Sequence, residues 1–372
     1  MNDGQSLHVS MKIIDVAGDP YQVGRALGEA AAQAIRECVP RLARFQELRR
    51  DWSRSERLEK LLEAARGAYP DYLREIEGIA DGAGVEFADI FLWNCRGDFP
   101  GGGDQQAVED GGCTTVMIPA DGDAPAVIAH NEDDQAELDG RCFVVNVQPD
   151  YGLGFTSFYS PGLLPGHTFA VNEVGLVQTI NHIRPHDQKV GIPRHVITRA
   201  VLGCAGLDAA LEVLRRPDRA SGFHHNLGQA GGAALLSVEA PASRCVARPV
   251  TSAAVHTNHL VFSECADIVQ EVTDSSVRRQ RRGEALISEG ALGGRDASVV
   301  LGDDADSDWP ICRKRRGGTD PGFTLASAVF ELGRERVDWH VYAQPHQAPV
   351  LGGTRPTGGE TLDIGTARRN MR

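Results

Sequence analysis

The stretch Glu109–Val116, EDGGCTTV, lies just under a third of the way along the 372-residue chain and decides how the rest is interpreted. Two glycines precede Cys113, and hydroxyl and then apolar residues follow it. This order predicts an acidic loop that ends at Gly112 and a buried strand that begins at Cys113. A glycine before the cysteine permits backbone conformations that other residues resist, including a strained peptide bond. The Cys113 thiol can then attack that bond from its own side chain.

Hydrolysis after such an N→S acyl shift would free the α-amino group of Cys113. With an ordinary pKa of about 7.7–8.0, this amine can serve as general base for the thiol, so no catalytic histidine is required. The alternative is that Cys113 is a small buried apolar residue at a strand start, as most cysteines are. The rest of the chain favours the catalytic interpretation.

Composition excludes several classes of protein. Hydrophobic residues make up 41% and charged residues 24% of the chain, which is typical of a globular protein with a substantial core. The formal net charge of −13 argues against nucleic acid and anionic membranes as partners. No apolar run approaches the roughly 18 residues of a membrane span, and the first residues lack the features of a signal peptide, so we expect a cytoplasmic protein. The eight cysteines include no CxxC pair, which disfavours a disulfide framework and a structural zinc site.

The spacing of apolar residues changes along the chain. Up to about residue 95 it is helical, whereas from Cys113 it is mostly that of strands. Runs of strands interrupted by helices predict an α+β architecture of stacked sheets covered by helices, without a linker that would divide it. The predicted helices are 21–48, 55–68, 69–83, 88–93, 193–202, 206–214 and 275–290. The predicted strands are 11–16, 114–118, 126–130, 143–147, 154–159, 168–171, 176–181, 233–238, 245–249, 255–260, 324–331 and 337–343, before a mobile tail from about Leu351.

Polar residues follow several predicted strands and are candidates for a site. The run 130–134, HNEDD, comes directly after an apolar strand, and Asn181-His182 ends another. A polar turn is the alternative for the first run. An asparagine N–H is a suitable oxyanion donor, which Asn181 or Asn258 could supply. Residues 224–226, HHN, are interpreted as support.

Two further clusters carry histidine or arginine. In the run 256–259, HTNH, the two imidazoles would point to opposite faces of a strand, so we predict no metal site. The run 312–316, CRKRR, is more typical of a solvated basic loop. Arg313 follows apolar residues, however, and could turn inward to pair with a carboxylate.

Several ordered motifs resemble those of the acyl-coenzyme A:6-aminopenicillanic acid acyltransferase family. They are GCTT at 112–115, Asn131-x-Asp133, HTNH at 256–259 and ICR at 311–313, together with segments 18–28 and 94–96. The resemblance covers roughly residues 12 to 345. It implies an N-terminal-nucleophile (Ntn) hydrolase with an αββα sandwich, made as a precursor that cuts itself before the cysteine. Residues 1–112 would then be a helical α subunit and residues 113–372 the catalytic β subunit, together forming one structural domain.

The resemblance also implies roles for individual residues. Cys113 would be the nucleophile exposed by cleavage after Gly112, and Asp133 would hold its amine and thiol in place. Asn258 would be an oxyanion or amine-orienting group, and Asn181 a second donor. Arg313 would adjust the charge of the site.

The chain departs from the acyltransferase pattern at Glu132, where that pattern has an aromatic residue. This segment, with those at 161–166 and 193–200, looks closer to the branch that hydrolyses β-alanyl amides of biogenic amines, such as carcinine and β-alanyl-dopamine. A carboxylate suits a cationic group of the substrate, such as a free amine on its acyl part. We predict that substrate is bound by Thr115, His130, Glu132, Tyr159 and His182.

The resulting expectation is a self-processing cysteine amidohydrolase that cleaves a small acylated amine or amino acid through a thioester acyl-enzyme. Acyl transfer to an amine, with an amide or coenzyme A thioester as donor, is the alternative enzyme function. An uncleaved binding or scaffold protein with an inert Cys113 is the non-catalytic alternative. We expect no cofactor, no metal, no nucleic-acid or membrane partner, and an α/β heterodimer from one precursor.

Overall fold

A computed structural model describes residues 11–100, 112–232, 234–314 and 322–357, and the backbone of 363–365. The helices in these ranges, apart from short 3-10 turns, are α1 (Pro20–Ala30), α2 (Ala32–Glu37), α3 (Ala43–Trp52), α4 (Glu56–Ala68), α5 (Pro70–Ala83), α6 (Phe87–Asn94), α7 (Arg194–Leu202), α8 (Leu207–Leu214), α9 (Asp274–Ser288) and α10 (Ser298–Leu301). The strands are β1 (Ile13–Gly18), β2 (Gly112–Ile118), β3 (Ala126–Gln135), β4 (Phe143–Pro149), β5 (Phe155–Tyr159), β6 (Phe169–Asn172), β7 (Leu176–Asn181), β8 (His224–Gln229), β9 (Leu235–Glu239), β10 (Val246–Pro249), β11 (Ala254–His256), β12 (Gly322–Leu332), β13 (Arg336–Tyr342), β14 (Leu351–Pro356) and β15 (Asp363–Gly365).

The strands form two sheets. The first has the order β1-β4-β5-β6-β7-β8-β9-β10 and the second β11-β2-β3-β12-β13-β14-β15. All pairs are antiparallel except β1 with β4. Thr115 of the second sheet donates to Asn181 of the first at 2.9 Å, and the rings of Phe169 and Phe330 lie 6.2 Å apart, so the sheets stack face to face.

Helices cover both outer faces of the stack. Helices α1, α7 and α8 contact the first sheet, and α9 and α10 contact the second. The predicted α+β architecture of two stacked sheets flanked by helices is therefore confirmed. In none of the described ranges does a helix have the length and apolar character needed to cross a membrane.

The helical beginning of the chain is shaped by capping and by glycines. Asp19 caps α1 by accepting from the backbone of Gln22 at 2.9 Å, and the Gln22 side chain bonds back to Asp19, which is a capping box. A Cβ at Gly24 would lie 1.9 Å from a backbone oxygen of α5, so glycine is what allows α1 and α5 to pack closely. The predicted single helix 21–48 is wrong, because the chain forms three helices interrupted by a 3-10 turn at Pro40.

Three other predictions differ from the structure. Strand β3 continues through the polar residues up to Gln135 because β2 and β12 pair with it on both sides. Strand β8 begins at His224, where only a polar cluster was predicted, because its histidines and asparagine face other polar groups inside the fold. The mobile tail from Leu351 is wrong for 351–356, which form β14 against β13 with Leu351 and Arg355 buried.

Candidate active site

The predicted nucleophile and three predicted substrate-binding residues lie on one face of β2 and β3. The strands pair antiparallel, with Cys113 opposite Glu132 and Thr115 opposite His130. Because side chains alternate along a strand, all four point to the same face, toward the first sheet. They are buried, and the Cys113 sulfur lies 3.3 Å from a carboxylate oxygen of Glu132.

An amide and a guanidinium hold the backbone of Cys113. Its N–H donates to Asn258 Oδ1 at 2.9 Å, and Asn258 Nδ2 donates to the carbonyl of His182 at 3.0 Å. Arg279 donates to the Cys113 carbonyl at 2.8 Å and to Asn258 Oδ1 at 2.6 Å. The amide oxygen of Asn258 thus faces the nitrogen of the predicted scissile bond, which is the arrangement that an amine-orienting group requires.

A side chain at Gly112 would collide with these same groups. A Cβ built there would lie 2.8 Å from Arg279 Nη2 and 3.1 Å from Asn258 Oδ1. Glycine therefore lets the peptide bond before Cys113 approach both polar groups. This close approach is a physical reason for the glycine that the sequence places before the cysteine.

The thiol and the neighbouring carboxyl group are both held mainly in their protonated forms. Burial raises the pKa of the Cys113 thiol well above its ordinary value, and the carboxylates of Glu132 and Asp133 raise it further. The backbone N–H of His182 acts in the opposite direction and lowers the pKa of the thiol. Burial also raises the pKa of Glu132 to about 8, against hydrogen bonds from Thr168 and Cys113 that lower it. A base must therefore take the thiol proton before the sulfur can attack.

Asp133 and Arg313 form a buried pair behind the strand. Asp133 lies opposite Gly112 in the β2–β3 ladder, so its side chain points to the face away from the thiol. Its carboxylate accepts from Thr324 Oγ1 at 2.6 Å and lies 3.5 Å from Arg313 Nε, while Arg313 also donates to Ser275 of α9. The positioning role of Asp133 and the charge-adjusting role of Arg313 stay predictions. Any effect of these residues on the Cys113 thiol would act across β2 and β3, from the opposite face of the sheet.

Asn181 belongs to a polar network between the sheets. Its Oδ1 accepts from Thr115 Oγ1 and from Asn226 Nδ2, each at 2.9 Å, and its Nδ2 donates to the carbonyl of His256 at 3.1 Å. One of the two N–H bonds of the Asn181 amide is thus used, and the role of Asn181 as a second oxyanion donor stays a prediction. Asn226 Nδ2 also donates to Thr115 Oγ1 at 3.2 Å, and the supporting role predicted for residues 224–226 stays a prediction.

Two predicted substrate-binding residues lie on the side of the first sheet. His182 Nε2 is 3.2 Å from Arg194 Nη2, and burial, followed by Arg194, lowers the pKa of this imidazole well below its ordinary value. The ring centroids of Tyr159 and Phe143 lie 5.1 Å apart in the core. Substrate contact by either side chain stays a prediction.

Sequence reasoning missed Arg279. The helix around it was predicted and is rich in arginine, which favours an exposed face, yet Arg279 is only 1% exposed. The buried positions of α9 also include Ser275, Gln280, Gly283 and Leu286, at helical spacing. Arg279 shares one helical face with Gly283 and Leu286, and this pattern in the sequence indicates that the arginine is buried.

Some predicted features lie outside the described residues. They are the loop 101–111 before the predicted cleavage point, and Arg315 and Arg316 of the basic cluster.

Comparison with known proteins agrees with the motifs. The family model for acyl-coenzyme A:6-aminopenicillanic acid acyl-transferase matches residues 120–346, which begin just after Cys113 and include Asp133, Asn181, Asn258 and Arg313. A beta-alanyl-dopamine/carcinine hydrolase of Drosophila melanogaster is 29% identical over 227 residues, which are 55% of this chain and 57% of that protein. This alignment therefore spans less than two thirds of that relative. An acyl-coenzyme A:6-aminopenicillanic-acid-acyltransferase (40 kDa form) of Emericella nidulans is 28% identical over 343 residues, 88% of this chain and 91% of that protein.

Both relatives are enzymes, one a hydrolase and the other an acyltransferase. The match of the family model covers more than half of the chain. The chain belongs to the acyl-coenzyme A:6-aminopenicillanic acid acyl-transferase family.

Proposed function

We propose that the chain is a self-processing N-terminal cysteine amidohydrolase with Cys113 as its nucleophile. The observation that carries the proposal is the hydrogen bond from the Cys113 N–H to Asn258 Oδ1, with Arg279 bonded to both the Cys113 carbonyl and Asn258. These contacts fix the nitrogen that would leave Gly112 and later act as the base. A merely structural strand start does not require a buried guanidinium at this point.

Self-cleavage would proceed by an N→S acyl shift. The Cys113 sulfur adds to the carbonyl carbon of Gly112, the C–N bond breaks, and the thiol proton goes to the departing nitrogen. Water then hydrolyses the thioester, which leaves a carboxylate on Gly112 and a free thiol and α-amine on Cys113. Asn258 Oδ1 can accept from the nitrogen both as an amide and as an amine, so one contact would serve before and after cleavage.

The same groups would support turnover. The α-amine takes the proton of the thiol, the sulfur attacks the carbonyl carbon of the substrate amide, and the proton passes to the nitrogen of the amine product as the C–N bond breaks. Water then hydrolyses the thioester left on Cys113. The Arg279 guanidinium near the amine disfavours its protonation and so keeps it available as a base. The backbone N–H of His182, which lowers the pKa of the Cys113 thiol, is a candidate donor to the oxyanion beside Asn258 and Asn181.

The subunits would stay together after the cut. Strand β1, on the α side of the cleavage point, pairs along its length with β4 on the β side. A buried ion pair between Glu75 and Arg199, with 2.7 Å between nitrogen and oxygen, also crosses the two parts. We therefore expect an α/β heterodimer of residues 1–112 and 113–372.

Intact mass spectrometry of freshly purified protein tests self-processing. We expect two masses that add up to the chain plus one water, the second mass beginning at Cys113. A chain that keeps its full mass after prolonged incubation would contradict the proposal, because Cys113 would have no free amine.

The position of Glu132 favours a substrate with a cationic amine on its acyl part. Its carboxyl group is 2% exposed, touches the thiol and has a pKa raised to about 8 by burial, so an approaching ammonium group would restore its ionised form. The Drosophila relative is a beta-alanyl-dopamine/carcinine hydrolase, and the acyl part of a β-alanyl amide ends in such an amine. We therefore propose β-aminoacyl amides as the substrate class.

Glu132→Gln tests this class. We expect it to raise KM for β-alanyl-dopamine roughly tenfold or more relative to propionyl-dopamine, which lacks only the amine, because a charged hydrogen bond of about 1.5–3 kcal/mol is lost. Initial rates for both amides in both proteins give the comparison. An unchanged KM ratio would contradict the role of Glu132 in binding the amine.

Acyl transfer is the second candidate, because the Emericella acyltransferase matches this chain along 88% of its length. Both reactions share the acyl-enzyme and differ in the acceptor. Product analysis with and without a competing amine separates them: new amide indicates transfer, and free acid alone indicates hydrolysis.

A further inference from the structure

Three metal-ligating side chains meet on the inner face of the second sheet. The Cys113 sulfur, a His130 nitrogen and a Glu132 carboxylate oxygen all lie within 4.8 Å of one another. The Glu132 oxygen is 3.3 Å from the sulfur and 3.6 Å from His130 Nε2. His130 Nε2 is fully buried and has no hydrogen-bond partner among the described residues. An unsatisfied nitrogen aimed at a thiol and a carboxyl group is an observation that a packing role does not explain.

The hydrogen-bond network fixes the tautomer of this histidine. Asn181 Nδ2 donates to the His256 carbonyl, so Asn181 Oδ1 is an acceptor and the Thr115 hydroxyl must donate to it. Thr115 Oγ1 then accepts from His130 Nδ1 at 2.8 Å. The proton of His130 is therefore on Nδ1, and Nε2 presents a bare lone pair to the cluster.

We propose that Cys113 Sγ, His130 Nε2 and Glu132 bind one Zn²⁺-class ion, with water as the fourth ligand. Thiolate, imidazole and carboxylate are the ligands that zinc takes in proteins, at about 2.0–2.3 Å, and ligand atoms within 4.8 Å of one another can converge on one ion. The Thr115 hydroxyl would orient the histidine from the second shell, as hydrogen-bonded partners of metal-ligating imidazoles do. The sequence prediction of no metal rested on residues 256–259 and on CxxC spacing, and it did not consider this cluster.

Metal binding would release protons and would block the nucleophile. The thiol and the Glu132 carboxyl group each release a proton to the solvent, while His130 is already neutral because burial lowers its pKa to about 3. A bound ion would occupy the sulfur lone pair and the position proposed for the substrate amine, so it would mask the nucleophile. The metal site itself does not depend on self-processing, since its three ligands are present in cut and uncut chains.

Co²⁺ is the probe for this site. Metal-free protein titrated with Co²⁺ is expected to bind one ion per chain and to show a thiolate-to-cobalt charge-transfer band that Zn²⁺ abolishes. The band should be absent in Cys113→Ala and unchanged in Cys204→Ala, because Cys204 is also a buried thiol and its sulfur donates to the Ala200 carbonyl of α7. Thr115→Val, which removes the acceptor of the His130 N–H, should weaken binding about 10–100-fold.

Two results would overturn the site: no charge-transfer band in wild type at saturating Co²⁺, or a band that survives Cys113→Ala. Thermal unfolding of each variant, followed by circular dichroism, shows whether it is folded. Glu132→Gln, nearly isosteric, provides a second test if Thr115→Val is unfolded, and it should weaken binding at least about tenfold. The mass of the same sample separates the two proposals: an uncut chain with the band contradicts only self-processing, and a cut chain without it contradicts only the metal site.

Discussion

Cys113→Ala is expected to leave the chain in one piece and to abolish turnover. The variant lacks the atom that would attack Gly112, so the α-amine would never be released, and later catalysis would lose both nucleophile and base. We expect the rate of amide hydrolysis to fall by at least about 10⁴-fold. The cavity left by one sulfur at a strand start is small, so folding should persist.

Intact mass and initial rates on the β-alanyl amide measure both effects, and Cys95→Ala is the matched control. Cys95 is also buried and directly follows the last residue of α6. It should process and turn over like wild type. A Cys113→Ala chain that still gives two fragments, or a Cys95→Ala chain that does not, would assign the nucleophile elsewhere.

The residues of the inner face could be named from local sequence, but their pairing could not. Gly-Cys-Thr-Thr was predicted at the start of one strand, whereas the next strand was predicted to end at His130, so the position of Glu132 opposite Cys113 follows only from the register of the structure. The motif at 94–96 likewise meets the segment 161–166, where Asn94 bonds to Gly162 and Leu164, each at 2.8 Å. The spacing of apolar residues predicted the α+β architecture of stacked sheets, and the family resemblance added the expectation of an αββα sandwich.

The outer face could not be predicted, because it depends on which helix packs against the sheet. The helix α9 approaches β11 closely at Gly283, whose added Cβ would lie 2.9 Å from Val255. This contact turns Arg279 inward. A hydrophobicity pattern treats every arginine as polar and cannot register that the partners of this guanidinium include the Cys113 carbonyl, two hydroxyl groups and the amide oxygen of Asn258. The strand β8 was missed for a related reason, since its polar residues satisfy one another inside the core.

The second large effect is expected for Arg279→Met. The guanidinium donates to the Cys113 carbonyl, to Thr114 Oγ1 and to Asn258 Oδ1, so its loss would release the backbone of Cys113 and the asparagine that faces its nitrogen. By comparison with the loss of one preorganised donor, we expect fragment formation and turnover to slow by about 10²–10³-fold. Methionine fills a similar volume without a buried charge, so the free energy of unfolding should change much less than the rates.

Arg278→Met is the matched control, because the Arg278 side chain is 58% exposed on the surface of α9, where it lies 3.8 Å from the side chain of Asp306. It should leave both rates within about twofold.

A pH profile of kcat/KM separates the proposed electrostatic role from a packing role. Without the cation the Cys113 amine is easier to protonate, so its pKa rises and the acid limb of the profile for Arg279→Met moves to higher pH. Arg279→Lys, which keeps the charge but not the planar fork, should return the limb toward its wild-type position while restoring only part of the rate. An acid limb that does not move in Arg279→Met would mean that Arg279 holds the strand in place without influencing the base.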